Sequence, residues 1–258
     1  MVLLEQIIFD VGANEGHDGL SLALLFKDCK VYAFEPNKYY IKIINNHKKK
    51  IEKIIGSKIN NYKVINKAIS IKNTSLILKI SKNVGAHSLY NFNKNLYKFK
   101  RHVKDYEVTK KTRVKVIKLS SFLKNKNFNN IRYLHCDAQG SDINVLKSLG
   151  NYIKYLNYGV VEVSSSRKKD LYQNSNNNFN NLNKFLKKNN FIITDIKSND
   201  PFDNELNVFF RNRTTHNRFN LTWLQKYKLK FYQKFIRKIV MGHYKIFLYK
   251  LIFKVLND

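Results

Sequence analysis

Acidic residues, glycine, proline, tryptophan and cysteine are all scarce in this 258-residue chain. Eighteen acidic residues stand against 48 basic ones, a formal charge of +30. Such a charge ordinarily points to an anionic partner: nucleic acid, a membrane surface or an acidic glycan. Here Lys, Asn, Ile, Tyr and Phe are abundant while Pro, Trp and Gly are rare, the pattern of an A/T-rich coding genome, so a basic surface is expected but charge alone names no partner. The two cysteines, Cys29 and Cys136, lie too far apart in sequence to form a metal or redox motif and make no disulfide framework. A reducing, cytoplasmic compartment fits. The opening MVLLEQIIFD lacks a basic n-region and a long apolar core, so it is expected to be strand rather than signal peptide. The histidines are scattered without ligand spacing, so no metal is expected.

What is present is alternation. Apolar runs of strand length are separated by helical patterns, the signature of βαβ units and a mostly parallel sheet. QIIFDVG reads as a first strand, GLSLALLFKD as its helix, and KVYAFEP as a second strand closed by proline. A helix through KYYIKIINNHKKKIEKII follows, then NYKVINKAIS as a third strand. From Ile71 to Val116 short alternating runs suggest an inserted β-hairpin region. IRYLHCDAQG and YGVVEVS are a fourth and a fifth strand, with the helix DINVLKSLG between them. FNNLNKFLKKNN is a helix, FIITDIK and LNVFFRN are two last strands, and the Asn-rich run at 174–181 reads as a surface loop or helix approach owed to codon bias.

With glycine so scarce, the turn FDVGANEGHDG asks what it is kept open for. Asp10, Gly12 and Gly16 form D-x-G-x-x-x-G directly after the first strand, at the sheet edge where helix amides and a glycine-lined backbone approach a ligand. The dinucleotide fingerprint fails, because Asn14 and His17 stand at its second and third glycines, and no Walker Gly-Lys-Ser/Thr follows. What remains suits a ligand with a compact amino-acid end, of which S-adenosylmethionine is the common case; the bland alternative is an ordinary strand-to-helix turn. Glu35 ends the second strand at the distance where a βαβ unit delivers an acid to a ribose diol, although nicotinamide enzymes use the same acid. Asp137 and Glu162 end the fourth and fifth strands, so four carboxylates converge on one crevice.

These blocks resemble the FkbM-type S-adenosylmethionine-dependent methyltransferases. The resemblance rests on FDVGANEGHDGLSLAL, VYAFEPNKYY, VINKAIS, GAHSL and YLHCDAQGSDINVLKSL, in that order, and more loosely on VVEV, from about Ile7 to about Phe210. That family carries Asp-x-Glu-Gly-x-Glu followed by Val-Leu; Asp137, Gly140, Asp142, Val145 and Leu146 match, while Gln139 replaces the usual glutamate and cannot ionise. The resemblance implies a doubly wound, Rossmann-like sheet of about seven strands, the last antiparallel, and methyl transfer to a hydroxyl of a sugar, polyketide or similar small acceptor. It implies that Asp10, Gly12 and Gly16, with Ala13 and Asn14 between them, cradle the methionine end. Glu35 with Pro36 would hold the ribose, Asn66 with Ala68 would flank the adenine, and Asp137 would face the methyl group. The acceptor proton needs a base, for which Asp137, Glu162 and then His87 are the candidates. Family members usually carry a helix before the first motif strand; this chain does not show one, so the cover over the cofactor is expected from later in the chain.

Residues 1–213 are expected to form the methyltransferase domain and 214–258 a basic helical extension. Drawn as a helix, Leu221 to Val240 puts Leu221, Leu224, Phe231, Tyr232, Phe235, Ile236 and Ile239 on one face, opposite Lys226, Lys230, Lys234, Arg237 and Lys238. Such a face suits an anionic membrane surface, or packing on the sheet or on a second copy of the chain. Lys245, Lys250 and Lys254 divide the last apolar stretch too often for a transmembrane helix. Two other readings stand beside the small-acceptor enzyme: an RNA ribose methyltransferase using the basic surface, and a silent methyltransferase fold kept as a binding module. With Pro36 and Pro201 the only prolines, neither a Pro-Pro-Tyr/Phe nor a Pro-Cys motif exists.

Overall fold

The computed structural model describes residues 4–93, 106–166, 170–199, 204–214 and 223–241. Five parallel strands carry the centre: β1 (Glu5–Val11), β2 (Cys29–Phe34), β3 (Tyr62–Ile65), β7 (Phe128–Cys136) and β8 (Leu156–Ser164). With β9 (Phe191–Ser198) and β10 (Glu205–Asn212) they form a seven-stranded sheet ordered β3-β2-β1-β7-β8-β10-β9. β10 runs antiparallel to both β8 and β9. In β1, every residue from Ile7 to Val11 is buried, as expected of a strand covered on both faces. The chain winds outward from β1 to β2 and β3 on one side and from β7 to β8 on the other. The order therefore reverses between β1 and β7, the place where doubly wound sheets bind ligands.

Helices α3 (Leu119–Leu123), α4 (Asp142–Ser148) and α5 (Phe179–Lys188) close one face over Phe9, Leu134, Val161 and Phe210. Helices α1 (His17–Leu25), α2 (Lys38–Ile55) and α6 (Trp223–Val240) close the other. α2 forms where local signals agree: the Asn37 side chain accepts from the Tyr39 amide (3.1 Å), Gly56 ends it in the left-handed region, and Tyr40, Ile44, His47 and Ile51 make its buried stripe. α1 is different, with Gly19 through Leu24 all buried; a helix this apolar needs a second cover. α6 supplies it. Tyr232, Phe235, Ile236 and Ile239 are buried in the core shared with α1 and α2, and the Gln233 amide donates to Asp18 (2.8 Å).

Lys230, Lys234, Arg237 and Lys238 stay exposed, as the helical drawing predicts. The apolar face offered above to a membrane surface is occupied by the protein's own core. Leu221, the segment after Gly242 and the side chains of Leu224 and Lys226 lie outside the described residues. Among the described residues no helix is long and apolar enough to cross a membrane.

The run NYKVINKAIS is not one strand. Tyr62–Ile65 joins the main sheet, and after a bend at Asn66 and Lys67 the short β4 (Ala68–Ile69) pairs parallel with β6 (Val108–Ile117). β6 and β5 (Thr74–Ser81) form the expected antiparallel hairpin, so the insertion is a three-stranded sheet ordered β4-β6-β5. The bend is held by the Asn66 amide, which donates to the carbonyls of Glu35 and Pro36 (2.9 Å each). The Asn-rich run is structural too. Asn177 and Asn178 are buried, Asn178 caps α5, and Asn174 and Asn176 take left-handed φ, which asparagine tolerates better than most residues.

Candidate active site

At the reversal point the turns after β1 and β7 lie against each other. The Asp137 amide donates to the Val11 carbonyl (3.0 Å), and a Cβ placed on Gly12 would fall 1.9 Å from the Asp137 carbonyl oxygen. Only glycine fits there, and its φ of +84° needs glycine as well. Two non-glycine residues in the left-handed region, Asn14 (φ 47°) and Gln139 (φ 45°), face the same cleft. Strained backbone gathered at one crevice is typical of functional sites.

The cleft is lined by Gly12, Asn14, Glu35, Pro36, Ala68 and Asp137 from the expected set, with Ile69, Leu78 and Leu89 as its apolar wall. Glu35 is buried. Its Oε2 accepts from the Asn14 amide (2.9 Å) and its Oε1 from the Asn37 amide (2.7 Å). Burial raises its pKa to about 7 against the lowering effect of those two amides. Each oxygen keeps lone-pair capacity for a further donor.

Four expected cofactor residues stand off the cleft wall. Asp10 is buried beneath it and accepts from His135 Nδ1 (2.9 Å); Ala13 is buried and its amide donates to the Phe34 carbonyl. Gly16 caps α1 and packs against Ile44 and Tyr62, and Asn66 holds the Glu35–Pro36 bend. They shape the turns that line the cleft.

Gln139 is the hub that sequence reading passed over as a lost acid. Its amide nitrogen donates to Asp137 and to Glu162 Oε2 (3.2 Å), and its oxygen accepts from the Tyr172 hydroxyl. Glu162, which also accepts from the Asn199 amide, therefore sits behind Gln139 rather than on the cleft wall. Burial raises the Asp137 pKa, and burial followed by the Asp137 charge raises that of Glu162 well above the ordinary carboxylate range. Asp142, pushed to about 7 by burial and by Asp137, pins the turn to β8 by accepting from the amides of Ala138 and Glu162. Asn177 donates to the Glu162 carbonyl (2.9 Å), and its Oδ1 accepts from the Ile143 amide in the first turn of α4 (3.0 Å). Neither Tyr172 nor Asn177 carries a local motif that would have marked it.

His87 lines the cleft from the loop after β5. Its Nδ1 accepts from the Ser81 amide (3.3 Å) and burial lowers its pKa, so the neutral ring carries its proton on Nε2, a tautomer assigned from that amide. The same loop closes the cleft: the Val84 carbonyl accepts from the Tyr40 hydroxyl (3.2 Å) and the Asn14 amide group (3.4 Å). The enclosed space is about 70 Å³. A ligand pocket usually needs roughly 300–1,000 Å³, so a nucleoside cofactor requires this loop to move outward.

The residues fit such a cofactor. Among the described residues the buried Asn14 Oδ1, on the cleft wall, has no hydrogen-bond partner, which suits the ammonium of a methionine group, and Glu35 suits a ribose diol. The description "Methyltransferase FkbM domain" fits residues 10–193 of this chain. Similar solved structures include the FkbM methyltransferase of Methylobacillus flagellatus KT, at 12% identity and TM-score 0.48 over 81% of this chain. This chain spans 44% of the length of that protein. M. capricolum TrmK, solved with S-adenosyl-homocysteine, aligns at 13% identity and TM-score 0.43 over 99% of this chain and 92% of its own. No curated protein matches the chain. The matched model covers most of the length, and the chain belongs to the FkbM methyltransferase family, whose methyl donor is S-adenosylmethionine.

Proposed function

We propose that this protein methylates a hydroxyl oxygen of a sugar or comparably small acceptor, with Asp137 as general base and residues 1–213 as the catalytic unit. The single observation that supports this reading is the position of Asp137. Asp137 lines the cleft together with Gly12, Gln139 donates to its carboxyl, and Glu162 stays off the cleft wall. Of the two carboxyls, Asp137 is therefore the one within reach of an acceptor proton.

When bound, S-adenosylmethionine would supply an electrophilic methyl group on a sulfonium, with S-adenosylhomocysteine as the leaving product. Gly12, Asn14, Glu35, Pro36 and Ala68 would hold it, while Asp10, Ala13, Gly16 and Asn66 fix the turns beneath. Asp137 would take the proton of the acceptor hydroxyl as that oxygen is methylated. The protonated Nε2 of His87 donates to the acceptor and orients it, so we assign His87 to positioning rather than to proton removal. Alignment of oxygen, carbon and sulfur supplies much of the remaining rate.

The test is transfer of labelled methyl groups to sugar nucleotides, extracted glycans and RNA in parallel. Asp137→Asn is expected to slow transfer by roughly 10²- to 10⁴-fold while S-adenosylhomocysteine still binds. Transfer to an amine or to RNA alone, or an unimpaired Asp137→Asn, contradicts the proposal.

A further inference from the structure

A second, larger groove of about 940 Å³ runs alongside the cleft, and Pro36, Tyr40, Val84 and His87 line both. Its walls come from the turn after β2, the β3–β4 bend and the hairpin sheet. They carry Lys38, Lys67, Lys110, Arg113 and Lys115 and no acidic residue. None of these five cations has an acidic partner among the described residues. Elsewhere the protein does pair its cations, as in Arg132–Asp28 and Lys82–Glu107. Like charges gathered around one concave wall without counterions repel one another, and an anionic ligand relieves that repulsion.

The cofactor does not meet this need. Its sulfonium and ammonium outweigh its one carboxylate, so it arrives with net positive charge, and the acids of its own cleft, Glu35 and Asp137, have the matching sign. The groove also presents the ring of Tyr39, 65% exposed, as a flat surface on which a base can stack. Its volume lies at the upper end of the roughly 300–1,000 Å³ occupied by small ligands, room for a nucleotide conjugate rather than a polymer strand.

We propose that this groove binds the acceptor through a nucleoside diphosphate, its phosphates on the Lys110–Lys115 wall and its base against Tyr39. Once the Val84 loop has moved outward, the attached sugar passes His87 to reach Asp137. This rests on the methyl-transfer reading above and gives it a substrate class: a sugar carried on a nucleoside diphosphate.

The test is calorimetric titration of the full chain with uridine diphosphate, pyrophosphate, a single-stranded oligoribonucleotide and, separately, S-adenosylhomocysteine. The expected result is saturable uridine diphosphate binding that weakens with added salt. Pyrophosphate should bind at least about tenfold more weakly, because it offers Tyr39 nothing to stack on. The exposed pair Lys110→Glu/Arg113→Glu should weaken uridine diphosphate at least about tenfold and leave both the melting temperature and S-adenosylhomocysteine affinity unchanged. No uridine diphosphate binding by a protein that binds S-adenosylhomocysteine overturns the proposal alone. Equal pyrophosphate affinity, tighter oligoribonucleotide binding, or no effect of the double variant also overturns it. Failure to bind S-adenosylhomocysteine would instead strike the underlying cofactor reading.

Discussion

Gly12→Ala should separate the two turns that make the cleft. Two costs add. At φ +84° an alanine pays the left-handed penalty of about 1–2 kcal/mol. Its Cβ also falls 1.9 Å from the Asp137 carbonyl oxygen, and an ordinary carbon–oxygen contact is about 3.3 Å, so the turns must part by roughly 1.4 Å. Because the Asp137 amide is hydrogen-bonded to Val11, that movement is resisted, and overpacking of this kind typically costs about 1–3 kcal/mol. The sum, about 2–5 kcal/mol, lowers the melting temperature by roughly 4–20 °C in a chain of this size. Gly56→Ala is the control, since its φ is +72° with nothing within 4 Å, and it carries only the first cost. Differential scanning calorimetry with and without S-adenosylhomocysteine reads both effects. Gly12→Ala is expected to melt below Gly56→Ala and to lose the ligand-induced rise that Gly56→Ala keeps. Equal melting of the two variants, with the ligand shift intact in both, would refute the reasoning.

Other expectations follow from the same geometry. Burial opposes protonation of His135, but its hydrogen bond to Asp10 raises the pKa to about 9. The folded value lies above the unfolded one near 6.5, so this stabilisation is full below about pH 6.5 and is lost as pH rises through 9. The difference amounts to at most about 3 kcal/mol, trimmed by the 25% exposure of the ring; His135→Gln should flatten the stability curve between those limits, and an unchanged slope would contradict the pairing. Tyr40→Phe removes one tie on the Val84 carbonyl and should speed cofactor association by roughly 2- to 10-fold in stopped flow; slower association would count against loop opening. Phe235→Ala, at a fully buried position on the inner face of α6, should cost about 3–5 kcal/mol in urea unfolding, and a loss under 1 kcal/mol would mean that α6 is dispensable to the core.

What was legible in the sequence is what neighbouring residues decide. The β1 turn, the Glu35 position, the α2 stripe and the apolar face of α6 each follow from local period or spacing. What escaped depends on partners distant along the chain. Gln139 reads as a defect until Glu162 and Tyr172 are seen on either side of it, and Asn177 reads as codon bias until Asp142 and the Glu162 carbonyl converge on its amide. The Asp10–His135 pair spans 125 residues, and the cations of the groove come from three separate segments. The β3–β4 bend was hidden because four residues of one strand and two of the next make a single apolar run, and only the Asn66 amide separates them.

The proposed cofactor site depends most on Glu35, in the cleft that it shares with Asp137. Calorimetric titration of S-adenosylhomocysteine into the wild-type protein and Glu35→Gln tests it most directly. Loss of a charged acceptor for the ribose diol should weaken binding by about tenfold or more, with the fold intact by melting temperature. Equal affinity of the two proteins, or no binding by the wild type, would contradict the placement of the cofactor.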